Sequence, residues 1–238
     1  MSDNRRTELP KRFYTTVSVE PDAGGHGVRL DGRAVRTPGR RALVVPSASV
    51  AQAIAAEWDR QGQRIDPATM PVTRLVNTTI DGILDDPSAV RAELKRYAET
   101  DLLFYRADAP EALVARQAEN WDPVLRWAEA HVGGLFLTAT GVMHVAQPAK
   151  TLAAVGRRLD REDDAFVLAA LHQMTTLTGS LLLAVAVREG RLEAGTAWAL
   201  AHVDEDWNIE QWGADEEAAA RREARWQDMN AAAQLATP

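Results

Sequence analysis

The chain has 238 residues, enough to bury a sizeable core in one large or two modest domains. Its net charge of −7 argues against nucleic acid as the main partner, because phosphate binding needs a clustered positive field. The absence of cysteine excludes disulfides, thiolate nucleophiles and cysteine-ligated metals.

Short strands joined by turns are predicted from Arg12 to Val45. Apolar and polar residues alternate between Phe13 and Val19, as in a half-buried strand. The segment Gly24–Gly27 is interpreted as a turn, since it lacks the lysine and Ser/Thr of a phosphate-binding loop. Further along, Asp31-Gly32 lies between short β-like runs and predicts a hairpin. The first part of the chain is therefore expected to be β-rich.

The periodicity changes to that of helices after Pro46. Ser47 is a plausible N-cap for a helix that ends at Gly62. A shorter helix around Leu75 to Ile83 follows, and Asp86-Pro87 begins another. We therefore predict an α+β protein, with a small antiparallel β-rich N-terminal domain at 1–85 and a larger all-helical domain at 86–238.

Amphipathic helices are predicted for most of the second domain. Proline at 123 predicts a break or kink in the first of them, and 135–137 could form a short extended piece. The predicted helices are Pro110–His131, Lys150–Leu159, Ala165–Glu189, Ala194–Trp212 and Asp215–Leu235.

No membrane span and no secretory signal are predicted. The longest apolar run, Leu181–Val187, is far shorter than the roughly 20 residues that cross a bilayer. The first twelve residues are charged and contain no apolar core of a signal peptide. We therefore expect a cytoplasmic protein of a bacterium.

Acidic residues and two tryptophans are concentrated in the segment 204–212. Three functions are compatible with this composition: a solvated helix face, a recognition surface for a basic partner, and a pair of carboxylates that hydrolyse a glycoside. A metal site on the face of His202, Asp206 and Glu210 is not favoured, because polar neighbours one turn apart are routine in helices. The residues in question are Asp204, Glu205, Asp206, Trp207, Glu210 and Trp212.

Trp58 is interpreted as a packing anchor rather than a ligand platform. It ends an alanine-rich helical stretch, and small residues let another element approach closely. The remaining tryptophans, apart from the two in 204–212, are expected in or near the core: Trp121, Trp127, Trp198 and Trp226.

Several stretches, in their order and spacing, resemble the ATP synthase assembly chaperones dedicated to the alpha subunit of the soluble catalytic head. The resemblance runs from about residue 12 to about 225. The matching stretches are Arg12-Phe13-Tyr14, Leu30-Asp31-Gly32-Arg33, Thr37-Pro38, Glu57-Trp58-Asp59, Gln61, Thr69-Met70-Pro71, Arg74-Leu75, Asn77-Thr78, Thr100-Asp101-Leu102-Leu103, Tyr105-Arg106, Pro110-Glu111-Ala112-Leu113-Val114, Trp121-Asp122-Pro123, Asp204-Glu205-Asp206-Trp207, Ile209-Glu210 and Gln211-Trp212-Gly213.

The resemblance implies a chaperone, not an enzyme, that transiently binds the unassembled alpha subunit and shields the surface that later packs against beta. It implies no cofactor, metal, nucleotide or catalytic residue. It also implies that Trp58 and the acids of 204–210 are functionally sensitive, and we expect the latter, with Trp207 and Trp212, to bind the partner. The alternatives are a helical hydrolase that uses the Asp204–Glu210 carboxylates, and a general peptide-binding module with 177–187 lining a groove.

Overall fold

A computed structural model describes residues 8–141 and 143–237. It contains two compact units, one ending at Gly82 and the other running from Ile83 to Thr237. This boundary lies three residues before the predicted one, and the folding of 1–85 and 86–238 as domains stays a prediction. Residues 1–7, on which the expectation about a signal peptide depends, lie outside the described residues.

An antiparallel sheet forms the first part of the N-terminal unit. Its central strand pairs with β1 along one edge and with the two short strands along the other. The hairpin predicted at Asp31-Gly32 is confirmed, with φ angles of 48° and 76° that a tight two-residue turn between twisted strands requires. The strands are β1 (Val17–Asp22), β2 (Gly25–Leu30), β3 (Arg33–Ala34) and β4 (Val44–Val45).

Two details of the predicted strands are wrong. Gly25 lies inside β2 and not in a turn; a Cβ there would stand 2.2 Å from the Val45 carbonyl oxygen, so glycine is what permits β4 to pair closely. The first strand begins at Val17 and not at Phe13, because the backbone amides of Thr15 and Thr16 donate to the Asp31 carboxylate at 2.8–3.2 Å. These hydrogen bonds lower the pKa of Asp31 to about 2.

Two helices complete the N-terminal unit: α1 (Ala48–Asp59) and α2 (Pro71–Thr78), with a π-helical turn over Thr79–Ile83. They are joined by the carboxylate of Glu57, which is only 2% exposed. It accepts hydrogen bonds from the amides of Val72 and Thr73, each at 2.8 Å, and from the Thr73 hydroxyl at 2.6 Å. Glu57 therefore satisfies the free N–H groups at the start of α2.

The second unit is built mainly from helices, as predicted, and this confirms the fold class. A short parallel pair, β5 (Tyr105–Arg106) with β6 (Ala139–Thr140), lies close to the extended piece expected at 135–137. The helices are α3 (Ser88–Tyr97), α4 (Glu111–Val132), α5 (Ala149–Asp160), α6 (Ala165–Thr178), α7 (Leu181–Arg188), α8 (Ala194–Ala201), α9 (Val203–Trp212) and α10 (Glu216–Ala236).

Two predicted long helices are each divided into two. Gly179 ends α6 in the left-handed conformation, and the Ser180 hydroxyl accepts from the Leu183 amide at 3.0 Å to begin α7. His202 similarly separates α8 from α9. By contrast, α4 continues through Pro123, so a break there does not occur.

The core of the second unit lies around α6 and α7, whose residues are mostly buried. The C-terminal third of α10 packs against α6, with Met229, Ala232 and Ala236 fully buried. The N-terminal half of α10 is largely exposed instead. The face of α10 beside α9 is therefore exposed to solvent along its N-terminal half.

In the described part of the chain, no helix combines the length and the apolar character needed to cross a bilayer.

Candidate functional site

The acidic segment singled out in the sequence forms α9. Asp204, Glu205 and Asp206 occupy its first turn, where negative charge interacts favourably with the helix dipole. The helix ends at Trp212, after which Gly213 adopts a positive φ of 90°. The six predicted residues therefore share one short helix.

Two hydrogen-bonded contacts attach the two ends of α9 to α4. Near its start, Gln117 Nε2 donates to Asp204 Oδ1 at 2.7 Å. Near its end, the two terminal nitrogens of Arg116 donate to the two carboxylate oxygens of Glu210, both at 2.8 Å. This bidentate pair lowers the pKa of Glu210 and raises that of Arg116. The orientation of α9 is thus fixed by its own acids.

A third contact attaches α9 to α10. The Arg222 guanidinium donates to Asp206 Oδ1, and this hydrogen bond raises the pKa of Arg222. Glu205 differs from its neighbours, because its carboxylate lies 3.7 Å from His202 Nε2, one turn earlier in the chain. Three of the four acids are consequently engaged with α4 or α10, and Glu205 is the most available.

The two tryptophans of α9 have different environments. Trp207 is half-buried, and the Arg116 guanidinium lies 5.1 Å from its ring centroid, in a cation–π contact. Trp212 is 87% exposed, the largest fraction among the exposed large apolar side chains of the described residues. An indole in that position is a large apolar surface in contact with water.

A groove of about 860 Å³ lies beside α9, between α8 and the N-terminal half of α10. Its floor is aromatic: the ring centroids of Trp198 and Trp226, which both line the groove, lie 5.9 Å apart. Trp212 stands on the wall. The lining residues are Gly195, Trp198, Glu205, Asn208, Ile209, Trp212, Gly213, Ala214, Asp215, Ala218, Ala219, Arg222, Glu223 and Trp226.

His202 does not line the groove itself, but its ring centroid lies 4.1 Å from that of Trp198 in the floor. It is 5% exposed, and burial lowers its pKa. Its Nδ1 lies 2.7 Å from the Trp198 carbonyl oxygen and must donate to it, since a carbonyl only accepts. The imidazole therefore holds α8 against the start of α9.

Four residues of this surface were missed by sequence analysis: Arg116, Gln117 and Arg222, as the partners of the acids, and Trp226, as part of an open groove. Trp198, predicted in or near the core, is 8% exposed and still contributes to the floor. No local pattern identifies these residues, because Arg116 and Glu210 are 94 positions apart in the chain.

The Glu-Trp-Asp motif lies in the other unit. Trp58 is half-buried at the end of α1, where its ring meets that of Tyr14 edge-to-face at 5.7 Å. The Tyr14 hydroxyl donates to the Trp58 carbonyl oxygen at 2.6 Å. The indole Nε1 is buried and finds no hydrogen-bond partner among the described residues. These contacts agree with a packing role, which stays a prediction.

The apolar stretch 177–187, considered as a peptide groove, is mostly core. Leu181, Leu182 and Val185 line a cavity of about 210 Å³ between α4, α5 and α7. That volume is below the range of about 300–1,000 Å³ usual for ligand sites.

Within residues 8–141 and 143–237, no three histidine or carboxylate side chains are grouped so that they could hold a metal ion. A glycoside hydrolase needs a carboxylic acid with a raised pKa, and the pKa of Glu210 is lowered instead.

Comparisons with known proteins agree with this architecture. The family model of the ATP12 chaperone protein matches residues 11–129. The mitochondrial protein atp12 of Schizosaccharomyces pombe is 24% identical over 220 residues, which are 87% of this chain and 75% of the yeast protein.

Solved structures are similar over nearly the whole chain. A protein of Agrobacterium tumefaciens is 51% identical, with a TM-score of 0.91 over 96% of this chain and 85% of that one. Atp12 from Paracoccus denitrificans is 42% identical, with a TM-score of 0.87 over 95% of this chain and 97% of that one. The chain therefore belongs to the ATP12 chaperone family, the chaperones of ATP synthase assembly.

Proposed function

We propose that this protein binds the unassembled alpha subunit of the ATP synthase head and promotes its assembly with beta. The observation that carries the proposal is Trp212, 87% exposed at the end of a helix that three polar contacts hold in place. A rigidly mounted, exposed indole suits a surface that is covered by a partner, since aromatic anchors supply much of the energy of interfaces.

Such a role has a physical rationale. A subunit that will later bury a large interface exposes that apolar surface until its partner arrives, and is prone to aggregate. A chaperone must cover this surface and then release it. A modest interface with an aromatic anchor and a charged rim permits both, because charged rims affect association rates more than total affinity.

We assign different roles to the six residues of α9. Glu205 and Trp212 contact the client, since one carboxylate is little engaged within the chain and one indole is exposed. Asp204, Asp206 and Glu210 position the helix through their contacts with Gln117, Arg222 and Arg116. Trp207 fills the space under the Arg116 guanidinium. The partner-binding surface is then α9 as a unit, with two residues in direct contact.

The test is binding to separately purified subunits. We expect alpha alone to elute with this protein in gel filtration, and beta alone and an unrelated unfolded protein to elute separately. Addition of beta to the complex should release alpha into an alpha–beta assembly. Equal binding of alpha, beta and the unrelated chain would contradict the proposal and would indicate a general peptide-binding module.

The assignment within α9 is tested by a double variant, Glu205→Lys with Trp212→Ala. Loss of alpha binding is expected, with only a small decrease in melting temperature from the loss of the favourable Glu205 charge in the first turn of α9. Its control is Glu119→Lys with Met143→Ala, which changes one exposed acid and one exposed apolar residue outside α9 and the groove. If both double variants bind alpha equally well, the contact surface is not α9.

We also propose that the protein acts in a bacterial cytoplasm. In support, two of the similar solved structures come from the bacteria Agrobacterium tumefaciens and Paracoccus denitrificans. Fractionation of cells that produce the native protein, with a periplasmic and a membrane marker, tests the location.

A further inference from the structure

We infer that the groove between α8, α9 and α10 binds an amphipathic helix of the client, with an apolar stripe flanked by basic side chains. This inference rests on the proposed function and specifies the kind of client segment that the chaperone recognises.

The openness of the groove favours a polypeptide segment over a small molecule, since its size alone would suit either. Its volume of about 860 Å³ is near the upper end of the roughly 300–1,000 Å³ found for small-molecule sites. The wall is open to solvent, because residues 210–217 are all exposed. A small ligand would remain largely hydrated there, whereas a helix can lie along the groove and cover its length.

The lining matches the apolar face of a helix. Trp198, Ile209 and Trp226 offer apolar surface at the floor, and Trp212 can close over a bound segment from the wall. On the α10 side the lining includes Ala218 and Ala219, whose small side chains let another backbone approach closely. Helix-in-groove recognition uses apolar anchors at i, i+3, i+4 and i+7 against such a surface.

The charges at the rim determine the polarity of the partner. Three carboxylates line the groove, those of Glu205, Asp215 and Glu223. The one guanidinium among the lining residues, that of Arg222, is already bonded to Asp206. The rim is therefore net negative, and basic residues flanking the apolar stripe of a bound helix meet complementary charge.

The test uses three labelled synthetic peptides with the same helix propensity. One carries leucines at i, i+3, i+4 and i+7 with lysine flanks, the second has the same leucines with glutamate flanks, and the third has a scrambled order. We expect fluorescence anisotropy to show binding of the lysine-flanked peptide, and at least about tenfold weaker binding of the other two. Equal affinity for lysine and glutamate flanks would overturn the inference about charge.

A pair of matched variants tests the location. Ala219→Trp places a bulky ring in the groove, while Ala220→Trp makes the same change at the next exposed position of α10, which does not line the groove. We expect Ala219→Trp to weaken binding of the lysine-flanked peptide about tenfold or more, and Ala220→Trp to have little effect. Circular dichroism and thermal unfolding establish that both variants fold. Equal binding by the two variants would overturn the groove as the site.

The failure of this inference can be distinguished from the failure of the proposed function. If wild-type protein captures alpha and Ala219→Trp captures it equally well, the groove is not the site although the function stands. If wild-type protein does not capture alpha, the function fails whatever the peptides do. A dimer that light scattering detects in the wild type and not in Ala219→Trp would show that a second copy fills the groove, which also overturns the inference.

Discussion

Arg116 and Glu210 form a bidentate ion pair between α4 and α9, with both nitrogen–oxygen distances 2.8 Å. The same guanidinium lies 5.1 Å from the ring centroid of Trp207. An acid that the sequence marks as a candidate for partner binding is therefore part of the support of its own helix. The distinction matters for experiments, because reversing the charge at Glu210 disturbs the position of α9 as well as its surface.

A charge swap separates these two effects. Glu210→Arg alone places two guanidiniums opposite each other, and we expect a lower melting temperature and weaker alpha capture. The double variant Arg116→Glu with Glu210→Arg restores opposite charges at the same positions. It should recover most of the lost thermal stability and alpha capture. Recovery should be incomplete, because the swap removes the contact of Arg116 with the Trp207 ring. A stable double variant that still fails to capture alpha would show that the Glu210 carboxylate contacts the client itself.

Replacing a tryptophan by arginine should lower the stability of the protein at Trp58 and its capture of alpha at Trp212. Trp58→Arg places a charge against the ring of Tyr14, and we expect a loss of about 2–4 kcal/mol in the free energy of unfolding. Trp212→Arg changes a side chain that is 87% exposed, and should leave stability unchanged but abolish alpha capture. Urea titration and gel filtration measure the two effects. Normal stability of Trp58→Arg would contradict the packing role of Trp58.

A milder substitution provides the control for Trp58. Because the indole Nε1 finds no hydrogen-bond partner among the described residues, Trp58→Phe removes no hydrogen bond. Because phenylalanine keeps an aromatic ring beside Tyr14 and introduces no charge, we expect it to cost less stability than Trp58→Arg in the same urea titration.

The buried carboxylate of Glu57 should contribute more to stability than an exposed carboxylate of the same helix. Its carboxylate accepts from two amides and one hydroxyl of the α2 N-terminus. Glu57→Ala leaves these buried donors unsatisfied, and we expect a loss of about 3 kcal/mol, measured by urea titration. The control Asp59→Ala removes an exposed carboxylate of the same helix and should cost less than about 0.5 kcal/mol. Equal losses in the two variants would contradict the capping role.

Asp101 should make stability depend on pH. It is fully buried between the start of α7 and the turn at Leu102–Phe104, and its two oxygens accept from the amides of Leu103 and Leu182 at 3.1 and 3.0 Å. Burial raises its pKa from 3.8 to about 6. A carboxyl group with a raised pKa contributes its full stability below the unfolded value of 3.8, and that contribution is lost as pH rises through about 6.

The corresponding measurement is the slope of unfolding free energy against pH between about 4 and 6. At roughly 1.4 kcal/mol per pKa unit, Asp101 accounts for a decrease of about 3 kcal/mol over this window. Asp101→Asn should be less stable than the wild type at every pH, because its amide nitrogen cannot accept from an N–H group. Its unfolding free energy should not show the Asp101-dependent decrease between about pH 4 and 6. Tryptophan fluorescence monitors the second unit, which holds six of the seven tryptophans. Identical slopes would contradict a titrating Asp101.

The sequence alone predicted the features that depend on neighbours along the chain. The alternation of apolar residues and the Asp31-Gly32 pair predicted the β-hairpin, and the later change of period predicted the helical second part. Local patterns carry this information because hydrogen bonds within helices and tight turns join residues only a few positions apart. The motifs read in order also predicted the family, which the comparisons confirm.

Only the tertiary structure decided which charges meet and which surfaces stay open. Glu210 meets Arg116, and Asp204 meets Gln117, across 94 and 87 positions of the chain. The break at His202 between α8 and α9, and the groove that Trp198 and Trp226 line, follow from how the helices pack. The periodicity of a sequence indicates which face of a helix is apolar. It does not indicate which distant side chain contacts that face, because such contacts depend on how all the helices pack together.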